Sequence, residues 1–145
     1  MTEPATDEPA LIAEGWKLMR PGAFINLVGP FYFREIEGRM QFCYRVAPKH
    51  DNTTGRPHGG MTMTFLDEAF GWTAHQGRSG QTFFTVGFDC QFIGGSVTGD
   101  LVVTETEVVS STRSMVFIRG TAKVGDRVIA SATGIWKAVK GKSAG

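Results

Sequence analysis

A glycine pair followed by a single aspartate is the chemically most suggestive feature of the 145-residue sequence. Gly59 and Gly60 come directly before a run of apolar and small residues that is typical of a helix, and Asp67 lies inside that run. The first amides of a helix lack partners, and glycine lets a ligand oxygen approach them closely. Such amides can stabilise the oxyanion that forms when an acyl carbonyl is attacked.

Asp67 is the candidate for the attacking or proton-accepting group. Aspartate is disfavoured inside helices, and an ionised carboxylate among apolar residues is costly, so its presence here indicates a function. We expect Asp67 to share an apolar face with Met63 and Phe70 and to be poorly solvated. Glu68 should point about 100° away from it and serve the structure or an interface.

Other routes to hydrolysis have little support in the sequence. It contains no Gly-x-Ser-x-Gly elbow, which excludes the serine-hydrolase route. Cys43 and Cys90 have no positioned base and are expected to be inert packing residues. The three histidines, at positions 50, 58 and 75, lack partners at metal-ligand spacing, so we predict no metal.

The surrounding sequence predicts elements in the order helix, two strands, one long helix and four strands. The predicted strand at 83–93 places Phe84, Val86 and Phe88 on one face and Thr85 on the other. Small residues on one face of the last two strands indicate a closely packed helix. This order indicates a single α+β domain in which a mostly antiparallel sheet wraps a central helix that is apolar nearly all round. The elements are predicted at 10–19, 31–36, 39–46, from 59 through the apolar run, 83–93, 101–109, 114–124 and 127–137.

Composition and charge narrow the range of partners. A formal net charge of +1 without a basic stripe argues against nucleic-acid binding. No apolar run approaches the ~20 residues that cross a bilayer, and the first residues do not resemble a signal peptide. Two cysteines then suggest reduced thiols and a cytoplasmic protein. We expect a disordered N-terminus at 1–9, one domain at 10–137 and a flexible tail at 138–145.

Together, these residues resemble a known family. Asn52, the His58-Gly59-Gly60 turn and Asp67, followed by a strand that carries Thr85, are similar to the hotdog-fold acyl-CoA thioesterases of the phenylacetic-acid-degradation type. The resemblance covers roughly residues 30–137. It implies a hotdog fold, hydrolysis of an acyl- or aryl-CoA to free acid and CoA, no cofactor other than the coenzyme A of the substrate, and a homodimer or homotetramer.

The resemblance also implies a role for each residue. Asp67 would be the nucleophile or the general base, and Thr85 would position the water or the carboxylate. The Gly59 amide, helped by Gly60, would polarise the thioester carbonyl. In such dimers Asp67 and Thr85 act across the interface from the glycine turn.

Two further residues belong to the turn side of this implied site. Asn52 would hold the carbonyl or the water, and His58 would brace the loop rather than transfer protons.

Two other functions stay open at this point. A hotdog hydratase or dehydratase would pair a histidine with the carboxylate, whereas no histidine is predicted on the helix face of Asp67. A non-catalytic acyl-CoA-binding module would not need the whole set of candidate residues. Release of a free thiol from an acyl-CoA would distinguish a thioesterase from both.

Overall fold

The computed structural model describes residues 8–20 and 22–140. Its strands and main helix follow the predicted order, with additional short elements near the N-terminus. A short 3-10 turn at Pro48–His50 precedes the long helix. The elements are α1 (Glu8–Ala13), β1 (Lys17–Leu18), α2 (Ala23–Val28), β2 (Tyr32–Ile36), β3 (Arg39–Arg45), α3 (Gly59–His75), β4 (Gln81–Phe92), β5 (Leu101–Ser111), β6 (Met115–Val124) and β7 (Arg127–Lys140).

The seven strands form one sheet in the order β1-β2-β3-β5-β6-β7-β4, and every neighbouring pair is antiparallel. The sheet packs against α3, which confirms the predicted α+β hotdog architecture. Both predicted hairpin turns are present, at Glu37–Gly38 and at Gly125, with the positive φ angles that such turns require. Among the described residues, strand β4 pairs only with β7, and no strand covers its other edge.

The core lies between one face of the sheet and one face of α3. Gly120 shows how closely the two approach, because a Cβ on this residue would lie 3.0 Å from the ring of Phe70. This close approach agrees with the prediction that small residues on the last two strands let the helix pack closely on the sheet. The helix residues buried in this core are Met61, Thr62, Phe65, Leu66, Ala69, Phe70, Thr73 and Ala74.

In the single chain, the sheet does not cover α3 on all sides, and the helix is not apolar nearly all round. Thr64, Asp67, Glu68 and Gly71 are only half-buried, and His75 is exposed. These residues recur at helical spacing on the side opposite the core. The sheet therefore covers one side of the helix and leaves a polar stripe open.

The predicted helix at 10–19 is also wrong in its second half. Helix α1 ends at Ala13, and Gly15 adopts a φ of 91°, which turns the chain into β1. Leu11 and Trp16 then bury themselves against Tyr32 and Cys43 on the outer face of the sheet. Their helix-like spacing reflects this packing rather than one continuous helix. Helix α2 was not predicted.

Strand β4 contains a β-bulge that changes the predicted alternation of its side chains. The register with β7 shifts between Thr85 and Gly87, so Val86 has no partner of its own. Phe84 and Val86 are exposed, whereas Phe88 packs on the core. The bulge places Thr85 on the helix side of the strand, a position that strict alternation with Phe88 does not allow.

The ends of the domain extend past the predicted limits of 10 and 137. Helix α1 starts at Glu8, and β7 ends at Lys140. The rest of the predicted disordered N-terminus and of the flexible tail, residues 1–7 and 141–145, lies outside the described residues. Within the described ranges, no helix has the length and apolar character needed to traverse a membrane.

Candidate functional site

Asp67 and Thr85 meet on the open side of α3. The Thr85 hydroxyl donates a hydrogen bond of 2.6 Å to Asp67 Oδ1. Asp67 is half-buried rather than enclosed, and Phe70, which the sequence placed on its face, turns into the core. The bond engages one carboxylate oxygen, and Oδ2, which has no hydrogen-bond partner among the described residues, can contact a ligand or a water molecule.

Two cavities open on either side of Asp67. One of about 380 Å³ lies between α2 and α3 and includes Phe24 and Thr64 in its wall. The other, of about 530 Å³, runs along the second half of α3 and is bounded by Trp72, Phe83 and other residues. Asp67 and Glu68 line both cavities. A substrate that crosses this stripe can therefore place its two ends on opposite sides of the carboxylate.

Glu68 has an unusual environment for a carboxyl group. It is half-buried and has no hydrogen-bond partner within the described ranges. Burial raises the pKa of Glu68, and the neighbouring Asp67 carboxylate raises the pKa further, while His75 opposes the shift. Glu68 lines both cavities with Asp67, which the predicted separation of about 100° between the two side chains did not indicate.

The two amides of the glycine turn differ in their hydrogen bonding. The Gly60 N–H donates to Nδ1 of His58 at 2.8 Å, so His58 caps the N-terminus of α3. The Gly59 N–H has no hydrogen-bond partner among the described residues. A Cβ on Gly59 would lie 3.2 Å from the ring of Phe92, so the ring shields one side of this amide. The Gly59 amide is thus available to a ligand oxygen, whereas the Gly60 amide is already engaged by His58.

His50 holds the loop that leads to this turn. It is buried, and Nε2 lies 2.6 Å from the carbonyl oxygen of Val28 while Nδ1 accepts a 3.0 Å bond from the Ala47 amide. Burial lowers the pKa of His50, which favours the neutral ring that these two bonds require. Its own carbonyl accepts from the His58 amide at 2.8 Å, so His50 links α2 to the start of α3.

Asn52 stabilises the same loop. Its Oδ1 accepts from the amide and hydroxyl of Thr54, at 2.8 and 2.6 Å, and from the Arg56 amide at 3.2 Å. These bonds form a compact Asx-type turn. The side-chain oxygen is therefore committed to the loop, and only the Nδ2 group is left to contact a ligand.

The two halves of the predicted site are far apart within one chain. Gly59 and Asp67 lie on the same helix, and eight residues at 1.5 Å each separate them by about 12 Å. One thioester carbonyl cannot contact both groups of a single helix. The structure thus brings Asp67 and Thr85 together and leaves Asn52, His58 and Gly59 at a separate location.

His75 completes the wall of the larger cavity, and sequence reasoning missed it. Nδ1 lies 2.7 Å from the Gly71 carbonyl oxygen, and Nε2 accepts a 3.3 Å bond from the Phe83 amide. The ring thereby ties the end of α3 to β4. Its helical spacing from Asp67 and Glu68 was the available signal. Residues 8–20 and 22–140 contain no cluster of histidine, cysteine or acidic residues able to hold a metal.

Comparisons with known proteins identify the class. The family model described as Thioesterase superfamily matches residues 54–131, more than half of the chain. A proposed esterase from Pseudomonas aeruginosa is 30% identical over 128 residues, which cover 86% of this chain and 96% of that protein. The chain belongs to the Thioesterase superfamily.

Solved structures show the same fold. A Bacillus halodurans protein whose structure contains CoA aligns with a TM-score of 0.75 at 20% identity, over 93% of this chain and 89% of that chain. A proposed thioesterase related to phenylacetic acid degradation from Ralstonia eutropha aligns with a TM-score of 0.72 at 17% identity, over 88% and 97% respectively. At these identities the likeness establishes the hotdog fold.

Proposed function

We propose that this protein hydrolyses the thioester bond of an acyl-CoA to a free acid and CoA. The observation that carries the proposal is the Asp67–Thr85 pair, which lies between two cavities on the open face of α3. Membership of the Thioesterase superfamily supports the reaction class. The CoA in the related Bacillus halodurans structure supports the form of the substrate.

In the proposed reaction Asp67 acts as a general base. Thr85 holds Oδ1, so Oδ2 accepts a proton from a water molecule as the water oxygen attacks the thioester carbon. The carbonyl oxygen becomes an oxyanion, and the free Gly59 amide stabilises it. The C–S bond then breaks, the thiolate leaves, and the proton held by Asp67 neutralises it. The products are a carboxylic acid and the free thiol of CoA.

Direct attack by Asp67 on the same carbon is the second form of this mechanism. It would give a mixed anhydride with the carboxylate, which water then hydrolyses. Single-turnover hydrolysis in ¹⁸O-labelled water detects the covalent form when water attacks the anhydride at the Asp67 acyl carbon. Attack by water places the label in the released acid, whereas the covalent route with cleavage at the Asp67 acyl carbon places it in Asp67.

The proposed catalytic unit is a homodimer. The separation of about 12 Å between Gly59 and Asp67 requires the amide to come from a second copy. Strand β4 supports this arrangement, because it is an edge strand with exposed Phe84 and Val86. These two residues flank Thr85, which binds Asp67. An open strand edge with apolar side chains favours pairing with another strand. Pairing through β4 would place the Asp67 pair at the subunit boundary.

We place the acyl group in the larger cavity. Trp72, Phe83 and Trp136 supply aromatic walls, and the volume of about 530 Å³ suits an aryl or medium-chain group. Asn52 would contact the carbonyl or the water through Nδ2. The motif spacing and the Ralstonia eutropha neighbour support the phenylacetic-acid-degradation type as the subgroup.

The test is release of free thiol from a panel of acyl-CoAs, followed with a thiol-reactive dye. We expect hydrolysis of at least one aryl- or medium-chain thioester, and a loss of at least about 10² in kcat for Asp67→Asn. Binding without thiol release would instead indicate an acyl-CoA-binding module. Hydration or dehydration of the acyl chain without thiol release would indicate a hydratase. Near-normal turnover of Asp67→Asn would refute the role of Asp67.

A further inference from the structure

Two arginine side chains converge on the turn that follows β4. Arg127, the first residue of β7, donates a hydrogen bond from Nη1 to the carbonyl oxygen of Gly95. Arg56 approaches the same glycine from the loop before α3, with Nη1 3.8 Å from the position that a Cβ on Gly95 would occupy. Gly95 is therefore flanked by two exposed guanidinium groups from distant parts of the sequence.

Neither guanidinium is neutralised within the part of the chain that the structure describes. Arg39 and Arg119 form ion pairs of 2.9 Å with Glu105 and Glu107, but no such pair involves Arg56 or Arg127. The acidic residues nearest to them in the sequence are Asp51 for Arg56 and Asp126 for Arg127, and neither forms an ion pair with these arginines among the described residues. Two arginines that reach the same glycine without an acidic partner favour an anion, and their planar forks suit phosphate oxygens.

The position of this pair relates it to the glycine turn. Phe92, whose ring packs on Gly59, lies three residues before Gly95, a span of at most about 11 Å. Arg56 lies on the loop between Asn52 and Gly59. Both cations are thus on the rim of the turn that carries the free amide. A substrate with its carbonyl at Gly59 and a long polar arm could extend toward them.

We propose that Arg56 and Arg127 form a phosphate subsite that binds the nucleotide end of the CoA moiety. This proposal rests on the function proposed above and extends it from the thioester to the far end of the substrate. The uncharged pantetheine arm joins the thioester to the nucleotide, and the phosphates of the nucleotide carry the charge that two guanidiniums without acidic partners recognise. The subsite contributes to substrate binding and leaves the chemical step unchanged.

The experiment compares two substrates with the same acyl group, an acyl-CoA and the corresponding acyl-pantetheine, which lacks the nucleotide. For the double variant R56A/R127A we expect KM for the acyl-CoA to rise at least about tenfold, because hydrogen bonds to charged groups are lost. Its kcat and its KM for acyl-pantetheine should stay within about twofold of wild type. Arg119→Ala, which removes an ion-paired arginine elsewhere on the sheet, is the matched control and should leave both KM values unchanged.

A third substrate, acyl-dephospho-CoA, shows which phosphate of CoA the two arginines bind. If the variant effect persists with this substrate, the diphosphate occupies the subsite, and if the effect disappears, the 3′-phosphate does. An unchanged KM for acyl-CoA in the double variant would overturn the proposal. An equal rise for acyl-pantetheine would also overturn it, because it would show that the loop itself was damaged.

Direct binding separates this proposal from the proposed function. Calorimetry with CoA and with pantetheine requires no turnover. If wild type hydrolyses neither thioester, the proposed function fails, and the subsite is still upheld if the double variant loses CoA affinity alone. If both substrates are hydrolysed but CoA affinity is unaffected by the double substitution, the subsite fails and the hydrolase proposal stands.

Discussion

The hydroxyl of Thr85 donates a 2.6 Å hydrogen bond to Oδ1 of Asp67, and this bond links the open edge strand β4 to the exposed side of the central helix. A carboxylate held through one oxygen has a fixed orientation for the other. The bond therefore defines which oxygen of Asp67 is available for chemistry.

Removal of this bond should slow the reaction without weakening substrate binding. For Thr85→Val, which keeps the shape of the side chain, we expect kcat to fall about tenfold or more because an orienting bond to a charged group is lost. KM should change little. Thr85→Ser retains the hydroxyl and should keep most of the activity. Steady-state kinetics of both variants would refute the positioning role of Thr85 if the valine variant were as fast as the serine variant.

The Gly59 amide can be removed without removing the residue from the helix. Position 59 is the first of α3, where proline is well tolerated, and His58 before it has an extended conformation that proline requires. Gly59→Pro deletes the N–H, and we expect a loss of about 10² or more in kcat. Gly59→Ala is the control, since it keeps the N–H and adds a Cβ against the Phe92 ring, as proline also does. Equal losses in the two variants would point to crowding rather than to a missing donor.

His58 is expected to contribute to stability through the helix cap. Its Nδ1 accepts the Gly60 amide at 2.8 Å, so His58→Ala should lower the free energy of unfolding by about 1 kcal/mol. His58→Asn can accept the same amide and should retain most of that stability. Urea denaturation measures both. If the asparagine variant were as unstable as the alanine variant, the cap would not be the reason for the loss.

Glu68 should make stability depend on pH. Burial, and then the Asp67 carboxylate, raise the pKa of Glu68 in the folded state. The stabilisation from the protonated form is complete below the pKa of the unfolded state and is lost as pH rises through the folded-state pKa. The ionised form therefore weakens the fold near neutral pH. We expect Glu68→Gln to raise Tm near pH 7, with the difference from wild type fading toward about pH 4.

Glu107 provides the control of opposite sign. The Arg119 guanidinium lowers the pKa of Glu107, so the stabilisation from its ionised form exists above the unfolded-state pKa and is lost as pH falls. Glu107→Gln should not raise Tm at neutral pH. Thermal melts across this pH range would contradict the assignment if both glutamine variants behaved alike.

The sequence predicted most strands and the central helix because hydrophobic alternation and turn residues are local signals. Glu37–Gly38 and Gly125 mark their hairpins directly. The helix predicted at 10–19 failed because Trp16 is buried by long-range packing on the sheet, which looks like helical spacing in the sequence. Helix α2 has no strong local signal, and its Val28 carbonyl is engaged by His50, a tertiary contact.

In the candidate site, too, the sequence predicted some features, whereas others depend on long-range contacts. The motif predicted Asp67 and Thr85 as partners, and their hydrogen bond is present. Strict alternation along β4 did not allow for the bulge between Thr85 and Gly87, which depends on pairing with β7. The meeting of Arg56 and Arg127 at Gly95 joins residues more than seventy positions apart, and no periodicity in the sequence encodes it.

The claim on which the proposed mechanism depends is that each active site combines Asp67 of one subunit with Gly59 of another. Coexpression of Asp67→Asn and Gly59→Pro chains with different tags tests it most directly. Each variant alone should be nearly inactive. A mixed dimer contains one site with both residues intact, so a randomly mixed population should regain about a quarter of wild-type activity. If purified mixed dimers form and stay as inactive as the parent variants, the shared-site account is contradicted.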